Sequence, residues 1–457
     1  MYSANIKFNG IDNTNQYEEL IKIFLQPSEY EIIRDEAEAE YEYVFNGDKD
    51  EVKRQLYGDL SRLTGKSPKW GILTGIRPVK LAGELFKEHG DLAAVREILE
   101  NHYLLNKEKS NLVTDILQYQ IDELGRPATN SLGVYIGIPF CPTRCLYCSF
   151  TSNQVKESEY ERYLVTLLDE IRYAGKAAAD DGYVIESIYM GGGTPTTLSA
   201  DQLDRLLTCV EESFDMSAVK EYTVEGGRPD TITTDKLEVL KKHNVERISI
   251  NPQTMKDETL ELIGRRHSVQ QVREAFEMAN EVGIKTINAD LIAGLPEEDL
   301  DDFKNSLNEI IRLGASNITV HTLAVKRASR LKEFDENFNY KQEELREQML
   351  KYARETLLAE GFKPYYLYRQ KHTSGNTENI GYCKPGTIST YNVRIMEEAQ
   401  SILALGAGGL SKIYFPEENR LERVPNVSNY EIYIDRIDEM IERKNKGFFG
   451  VHNTGGK

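Results

Sequence analysis

Between residues 131 and 324 short apolar runs alternate with longer amphipathic stretches: LGVYIGI, VIESIYM, EYTVEG, ERISINPQ, IKTINADLIAG and SNITVHTL are the runs. Rich in β-branched residues and apolar over much of their length, they predict strands covered on both faces. The stretches between them repeat apolar residues every three to four positions, as in LDRLLTCVEESF, which is the stripe of a helix lying on a sheet. Six such strands separated by helices predict an α/β fold. Its parallel sheet is curled into a partial (β/α)6, TIM-like barrel, with its chemistry at the C-terminal strand ends. We assign residues 128–325 to this core. Before it, the strand-like IKFNG, a helix, the partly alternating YEIIRDEAEAEYEYVFNG and further helical segments predict an N-terminal α+β domain over residues 1–127, with a hairpin in the alternating stretch. After it, a charged helix, the aromatic strand KPYYLYRQ and the Gly-rich LALGAGGLSK predict a separate C-terminal α+β domain over residues 326–457, ending in a frayed VHNTGGK.

Composition narrows the function. The chain has 457 residues, 40% hydrophobic and 28% charged, and no apolar run near the ~18 residues that cross a bilayer, so a protein without a membrane span is expected. The opening MYSANIKFNG lacks the layout of a signal peptide. Five cysteines, an odd number in so long a chain, do not make a secreted disulfide framework, and a reducing cytoplasm is the expected compartment. A net charge of −18 argues against duplex nucleic acid as a partner, since that affinity rests on cations neutralising phosphates.

Three of the five cysteines, Cys141, Cys145 and Cys148, fall within the stretch PFCPTRCLYCSF. Structural zinc takes four ligands, usually from two Cys pairs, and no second pair exists here. Three thiolates on a tight loop suit an iron–sulfur cube whose remaining iron is left to a non-protein ligand. Cys209 sits on the apolar side of its helix and reads as a buried hydrophobe. Cys383 reads as an incidental loop thiol, with a reactive or haem-ligating role alongside His372 as the alternative, and Trp70, the one tryptophan, as a packing residue.

The spacing Cys-x-x-x-Cys-x-x-Cys, with Tyr147 before the last Cys, resembles the radical S-adenosylmethionine (SAM) superfamily. YIGIPFC, LYCSF, GGGTPT and IGRRH narrow the resemblance to the oxygen-independent coproporphyrinogen III oxidase group, over roughly residues 132–410, and WGILTGIRPVKLA extends it to the HemZ-type branch. The resemblance implies a [4Fe–4S] cluster on Cys141, Cys145 and Cys148, its fourth iron chelated by the amino and carboxylate groups of SAM. It further implies that Gly191, Gly192, Gly193 and Thr194 hold the methionyl amino group. Glu225 binds the SAM end of the site, Gln253 and Arg265, on the helix after the fourth strand, contact ribose and carboxylate, and Asp290 touches the adenosine. Tyr135 and Tyr147 complete the cofactor-binding set, and His267 completes a Gly-Arg-x-His.

The implied reaction takes a hydrogen atom from the β-carbon of a propionate, loses carbon dioxide and an electron, and leaves a vinyl group; done twice, it yields protoporphyrinogen IX. It needs a reducing electron donor such as flavodoxin or ferredoxin. Such a tetrapyrrole substrate carries four carboxylates, so an acidic protein must place cations beside it. Lys326, Arg327, Arg330 and Arg369 are the candidates, with Tyr365, Tyr366, Tyr368 and Tyr382 as walls for a flat ring. Two features depart from the prototypical oxidases: Gly137 stands where they carry His, and Phe150 where they have a further Cys. Related haem-trafficking proteins carry an HNxxYW-type segment, where this chain reads HTSGNTENIGY. A haem-binding chaperone, or a radical SAM enzyme modifying another tetrapyrrole, are therefore the alternatives.

Overall fold

The computed structural model describes residues 4–11, 13–34, 37–75, 77–148, 152–323, 343–370 and 377–450. Three short strands, β1 (Ala4–Asn9), β2 (Tyr30–Ile33) and β3 (Tyr41–Val44), form a small sheet in the order β2-β1-β3. Both outer strands run parallel to β1, so the hairpin expected in this stretch does not form. The strand order places β2 and β3 on opposite sides of β1, so the two never pair with each other. Ile6, Leu20, Ile21, Leu56 and Leu60 give this sheet its own core. The helices Pro78–His89, Leu92–Asn101 and Lys107–Leu124 bury their apolar faces in the main core instead.

All six strands expected in the middle of the chain form: β4 (Ser131–Ile138), β5 (Val184–Gly192), β6 (Glu221–Gly227), β7 (Arg247–Ile250), β8 (Thr286–Ala293) and β9 (Asn317–Thr322). Each lies parallel to the next in chain order. Helices cover the outer face, and three of them begin at capping boxes set by Ser199, Ser268 and Asp299. Cys209 is buried on one of these helices. No helix among the described residues is long and apolar enough to cross a membrane.

The C-terminal part is not a separate layer. Strands β10 (Lys363–Arg369) and β11 (Glu378–Cys383) continue the sheet beyond β9, antiparallel, while β12 (Ser401–Leu405) adds parallel to β4, followed by β13 (Leu410–Phe415) and β14 (Arg420–Pro425). The two edges of an open barrel carry unpaired backbone groups, and β11 and β12 satisfy them. One eleven-stranded sheet results. Cys383 thus ends a buried strand rather than lying on a loop.

Between β11 and β12 the chain passes under the N-terminal ends of the barrel strands. Thr387 O accepts from Asn317 Nδ2 at 2.7 Å and from Arg247 Nη2 at 2.8 Å, and Thr390 N donates to Glu221 Oε2. Each of these partners is the first residue of its strand, so the segment floors the barrel. On the other side, the helix Ile437–Gly447 is locked to the helix Glu157–Asp180 by Lys444 and Glu170, 2.7 Å apart and fully buried. Burial opposes the Glu170 charge, but Lys444, the Tyr433 hydroxyl and the Gly406 N–H hold its carboxyl below the usual carboxylate range. Replacing Lys444 by Met would strand that charge, and a loss of about 3–5 kcal/mol is expected; urea unfolding of Lys444→Met against the parent measures it.

Candidate functional site

The loop carrying the three thiols leaves β4 and is pinned at both ends. Cys141 N donates to Asn153 O at 3.1 Å and Asn153 N to Pro139 O at 2.9 Å. From the opposite side, Leu146 N donates to Ile263 O at 2.9 Å and Thr143 Oγ1 to Gly264 O at 3.3 Å. Cys141, Cys145 and Cys148 are half-buried, and all three line one cavity of about 520 Å³ inside the barrel. Burial pushes the Cys141 thiol up to about 11, and its two neighbours add to the rise. Thiols within electrostatic reach of one another and facing a cavity suit a group that takes them as thiolates. Among the described residues no three ligand-type side chains converge as a single ion requires; a cube takes each thiolate at a different iron and does not ask for that. The donor set fits the cluster.

The glycine loop is pressed against this one. A Cβ on Gly193 would lie 2.4 Å from Phe140 O, inside any tolerable contact. Without it, Gly193 N reaches Ile138 O and Thr194 N reaches Phe140 O, both at 2.7 Å, and Thr194 Oγ1 stands 3.5 Å from the Cys141 sulfur. Gly191 serves another neighbour: its Cβ would come within 2.7 Å of Glu225 Oε2. Gly137, in the place of the family His, has room for a Cβ only at contact distance, 3.3 Å from Leu405 O.

Of the residues matched to cluster and SAM, all but Gly191 line the cavity. Glu225 accepts from the Tyr189 hydroxyl at 3.2 Å, and burial, then the charge of Asp290, pushes its carboxyl up to about 7. Asp290 goes the other way. Burial opposes its charge, yet the His321 ring and the Asn288 amide hold it below the usual carboxylate range. Asn288 Nδ2 lies 3.0 Å and His321 Nε2 3.5 Å from the Asp290 carboxylate, and His321 Nδ1 pairs with the Tyr368 hydroxyl at 2.9 Å. Gln253 sits at φ +71, where a non-glycine residue is strained, with its N–H on Asp290 O at 2.9 Å. Arg265 follows the short helix Asp257–Leu262 rather than lying on it. Gly264, at φ +77, turns the chain back, so the guanidinium donates to the Tyr147 hydroxyl at 2.9 Å and to Gly227 O at 3.1 Å. His267 is buried near Arg265 and Arg228; burial and those cations push it down to about 3, leaving a neutral ring.

Among the expected substrate residues, Lys326, Arg327 and Arg330 lie outside the described residues, as does His372. Arg369 is a correction. It points away from the cavity, donating to Leu73 O with its guanidinium 5.0 Å over the Trp70 ring, and burial pulls it down to about 10. Trp70 is fully buried and donates to Glu378 Oε2 at 3.1 Å, a packing role. Tyr365, Tyr366 and Tyr368 line the cavity, helped by a register shift at Pro364/Tyr366, whereas Tyr382 faces the core. Not read from the sequence were Tyr189, Arg247, His321 and Tyr391. Tyr189 and Tyr391 stack with ring centroids 4.6 Å apart. Inward alternation from Gly191 and Thr319 could have singled out Tyr189 and His321; Tyr391 arrives from the distant floor segment and carries no local signal.

The raised Glu225 carboxyl makes a pH prediction for the ligand-free protein. Between its ordinary 4.5 and about 7 the folded chain keeps a proton that the unfolded chain has released, so this group's contribution to stability falls as pH rises through that window. Glu225→Gln mimics the protonated form. Its stability relative to the parent should therefore improve across the same window, as read by urea unfolding at the two edges.

The chain is similar to known proteins. Residues 135–310 match the Radical SAM superfamily, whose members use a four-iron cluster and SAM. Over 393 residues the chain is 39% identical to the oxygen-independent coproporphyrinogen-III oxidase-like protein HemZ of Bacillus subtilis (strain 168), covering 85% of this chain and 78% of that protein. It is 37% identical over 194 residues to the heme chaperone HemW of the same organism, covering 42% of this chain and 50% of that protein. The coproporphyrinogen III oxidase (HemN) of Escherichia coli shares the fold, with a TM-score of 0.53 and 21% identity over 69% of this chain and 70% of that one. The chain belongs to the radical SAM family of oxygen-independent coproporphyrinogen III oxidase-like proteins.

Proposed function

We propose that the protein is a radical SAM oxidoreductase that removes the carboxyl groups of two propionates of coproporphyrinogen III, leaving the vinyl groups of protoporphyrinogen IX. One observation carries the reading: the three thiols and the residues matched to SAM, Gly191 apart, share a cavity walled by Tyr135, Tyr189, Tyr366, Tyr368 and Tyr391. With cluster and SAM bound, such a site supplies a carbon-centred radical able to take a hydrogen atom from a substrate carbon. The protein's part is to hold and to shield. Cys141, Cys145 and Cys148 would bind the cluster as thiolates, the metal charge overcoming the burial that raises Cys141. Asp290, kept ionised, offers an acceptor to ribose hydroxyls, and Arg265 a guanidinium to the methionyl carboxylate. The tyrosine walls exclude water from a reactive carbon and suit a flat substrate ring. Removal of one hydrogen atom from the β-carbon, departure of carbon dioxide and passage of one electron to an external acceptor balance each vinyl formed.

A second reading, haem binding without turnover, is favoured by the kinship with the heme chaperones and by Gly137 in place of the family His. Anaerobic incubation of the reconstituted protein with SAM, a reductant and coproporphyrinogen III, followed by mass spectrometry, separates the two. Two losses of carbon dioxide are expected; stable haem binding with no SAM cleavage would select the chaperone. Replacing all three thiols by Ala should abolish bound iron and the broad charge-transfer absorption while the protein still folds. Retention of four irons by that variant would sink the cluster assignment.

A further inference from the structure

Arg247 opens β7 at the floor of the cavity, in register with Thr223 of β6, two residues before Glu225. Two residues of strand rise about 6–7 Å, so its backbone lies one side-chain layer beneath the SAM-matched carboxyl. The side chain is 7% exposed and lines the cavity. Its Nη2 is spent on Thr387 O at 2.8 Å and Ile388 O at 3.1 Å. Nε stands 3.9 Å from Glu221 Oε1, too far for a hydrogen bond, and Nη1 has no partner among the described residues. The Glu221 carboxylate is itself engaged, by Ser389 Oγ at 3.0 Å, Thr223 Oγ1 at 2.8 Å and Thr390 N. Buried guanidinium N–H groups without acceptors are costly and rare in folded proteins. The Tyr365 hydroxyl lines the same cavity, within electrostatic reach of this cation, and accepts from Asn392 Nδ2 at 3.2 Å, keeping its own hydrogen to give.

We propose that Arg247 and Tyr365 form an anion site at the cavity floor that takes the carboxylate of a substrate's carboxyalkyl arm. A monoanion suits it: one cation already close to Glu221, beside a neutral phenol, would leave a phosphate dianion under-compensated. Ile395, Met396 and the Tyr189 and Tyr391 rings line the same cavity and suit the aliphatic part of the arm. The identity of the arm as a propionate rests on the tetrapyrrole reading above; the anion site does not. It would lower one arm into the barrel, beneath the residues matched to SAM.

The test uses the full-length protein, reconstituted anaerobically with cluster and SAM. Saturation-transfer NMR with propionate and with its uncharged isostere propionamide should show transfer to propionate alone. Arg247→Gln should lose that signal, and Arg247→Lys, which keeps the charge, should retain much of it. The Gln variant should also bind coproporphyrin III roughly tenfold more weakly, as loss of a charge-assisted contact implies, with affinity for the tetramethyl ester unchanged. Equal transfer to propionamide, or none to propionate, overturns the site. So does a Gln variant with the parent's melting temperature that keeps both the propionate signal and the coproporphyrin affinity. If Arg247→Gln fails to fold, because the floor carbonyls lose their donor, the propionate and propionamide comparison on the parent decides alone. Propionate binding without any coproporphyrin binding keeps the anion site and removes the tetrapyrrole reading instead.

Discussion

A parallel sheet curled around a cavity lacks the layered apolar side chains that would otherwise hold it from within. Closed (β/α)8 barrels fill that space with layers of branched apolar residues. Here the inward positions carry Thr223, Glu225, Arg247, Ser249, Asn288 and Asp290, all lining a cavity. The sheet is held from outside and from below. Helices bury Leu164, Leu167, Leu203, Leu206, Val272, Phe276 and Phe303 against its outer face, while β11 and β12 take up its two edges. The segment around Thr387 then ties the first residues of β6, β7 and β9 together, so the floor is made of backbone carbonyls and amides rather than of packed apolar side chains.

That arrangement leaves the upper end of the cavity free for chemistry and brings two carboxyl groups into it in different states. Asp290 is hydrogen-bonded and stays ionised; Glu225 is buried, with the Tyr189 hydroxyl as its one hydrogen-bond donor among the described residues, and is pushed up to about 7. Environments that drive paired carboxyls apart are a common mark of a working site. One accepts hydrogen bonds as an anion, and the other can carry a proton near neutrality. His321 holds this asymmetry in place, since its ring pairs with Asp290 on one side and with Tyr368 of β10 on the other.

Close approach of backbone matters as much as side-chain chemistry. The thiol loop and the glycine loop come from neighbouring strands and share hydrogen bonds that any side chain at Gly193 would forbid. Gly264 plays the corresponding part on the far side. Its left-handed turn brings Arg265 back to Tyr147 and presents the Ile263 carbonyl to Leu146. The cysteines are thus positioned by three elements distant in sequence, before any metal chemistry contributes.

Much of this was legible in the chain itself, because it follows from local chemistry. Apolar runs separated by amphipathic stretches specify a covered parallel sheet whatever surrounds them, and three thiols within one short loop stay close however the rest folds. The glycines of GGGTPT and the residues ending each strand were readable for the same reason. The rest depended on long-range contacts. β11 and β12 pair with strands far from them in sequence, so whether the C-terminal residues make their own domain or extend the sheet is decided by which edges are open. Tyr391 lines the cavity because the floor segment passes beneath the barrel, a juxtaposition that no periodicity records. Arg369 shows the converse: its spacing after an aromatic strand suited a substrate contact, but alternation along β10 turned it to the opposite face, onto Trp70. Residue types and spacing determined which chemistry this protein can hold; the side of the sheet each group faces, and the partners it meets there, only the tertiary structure decided.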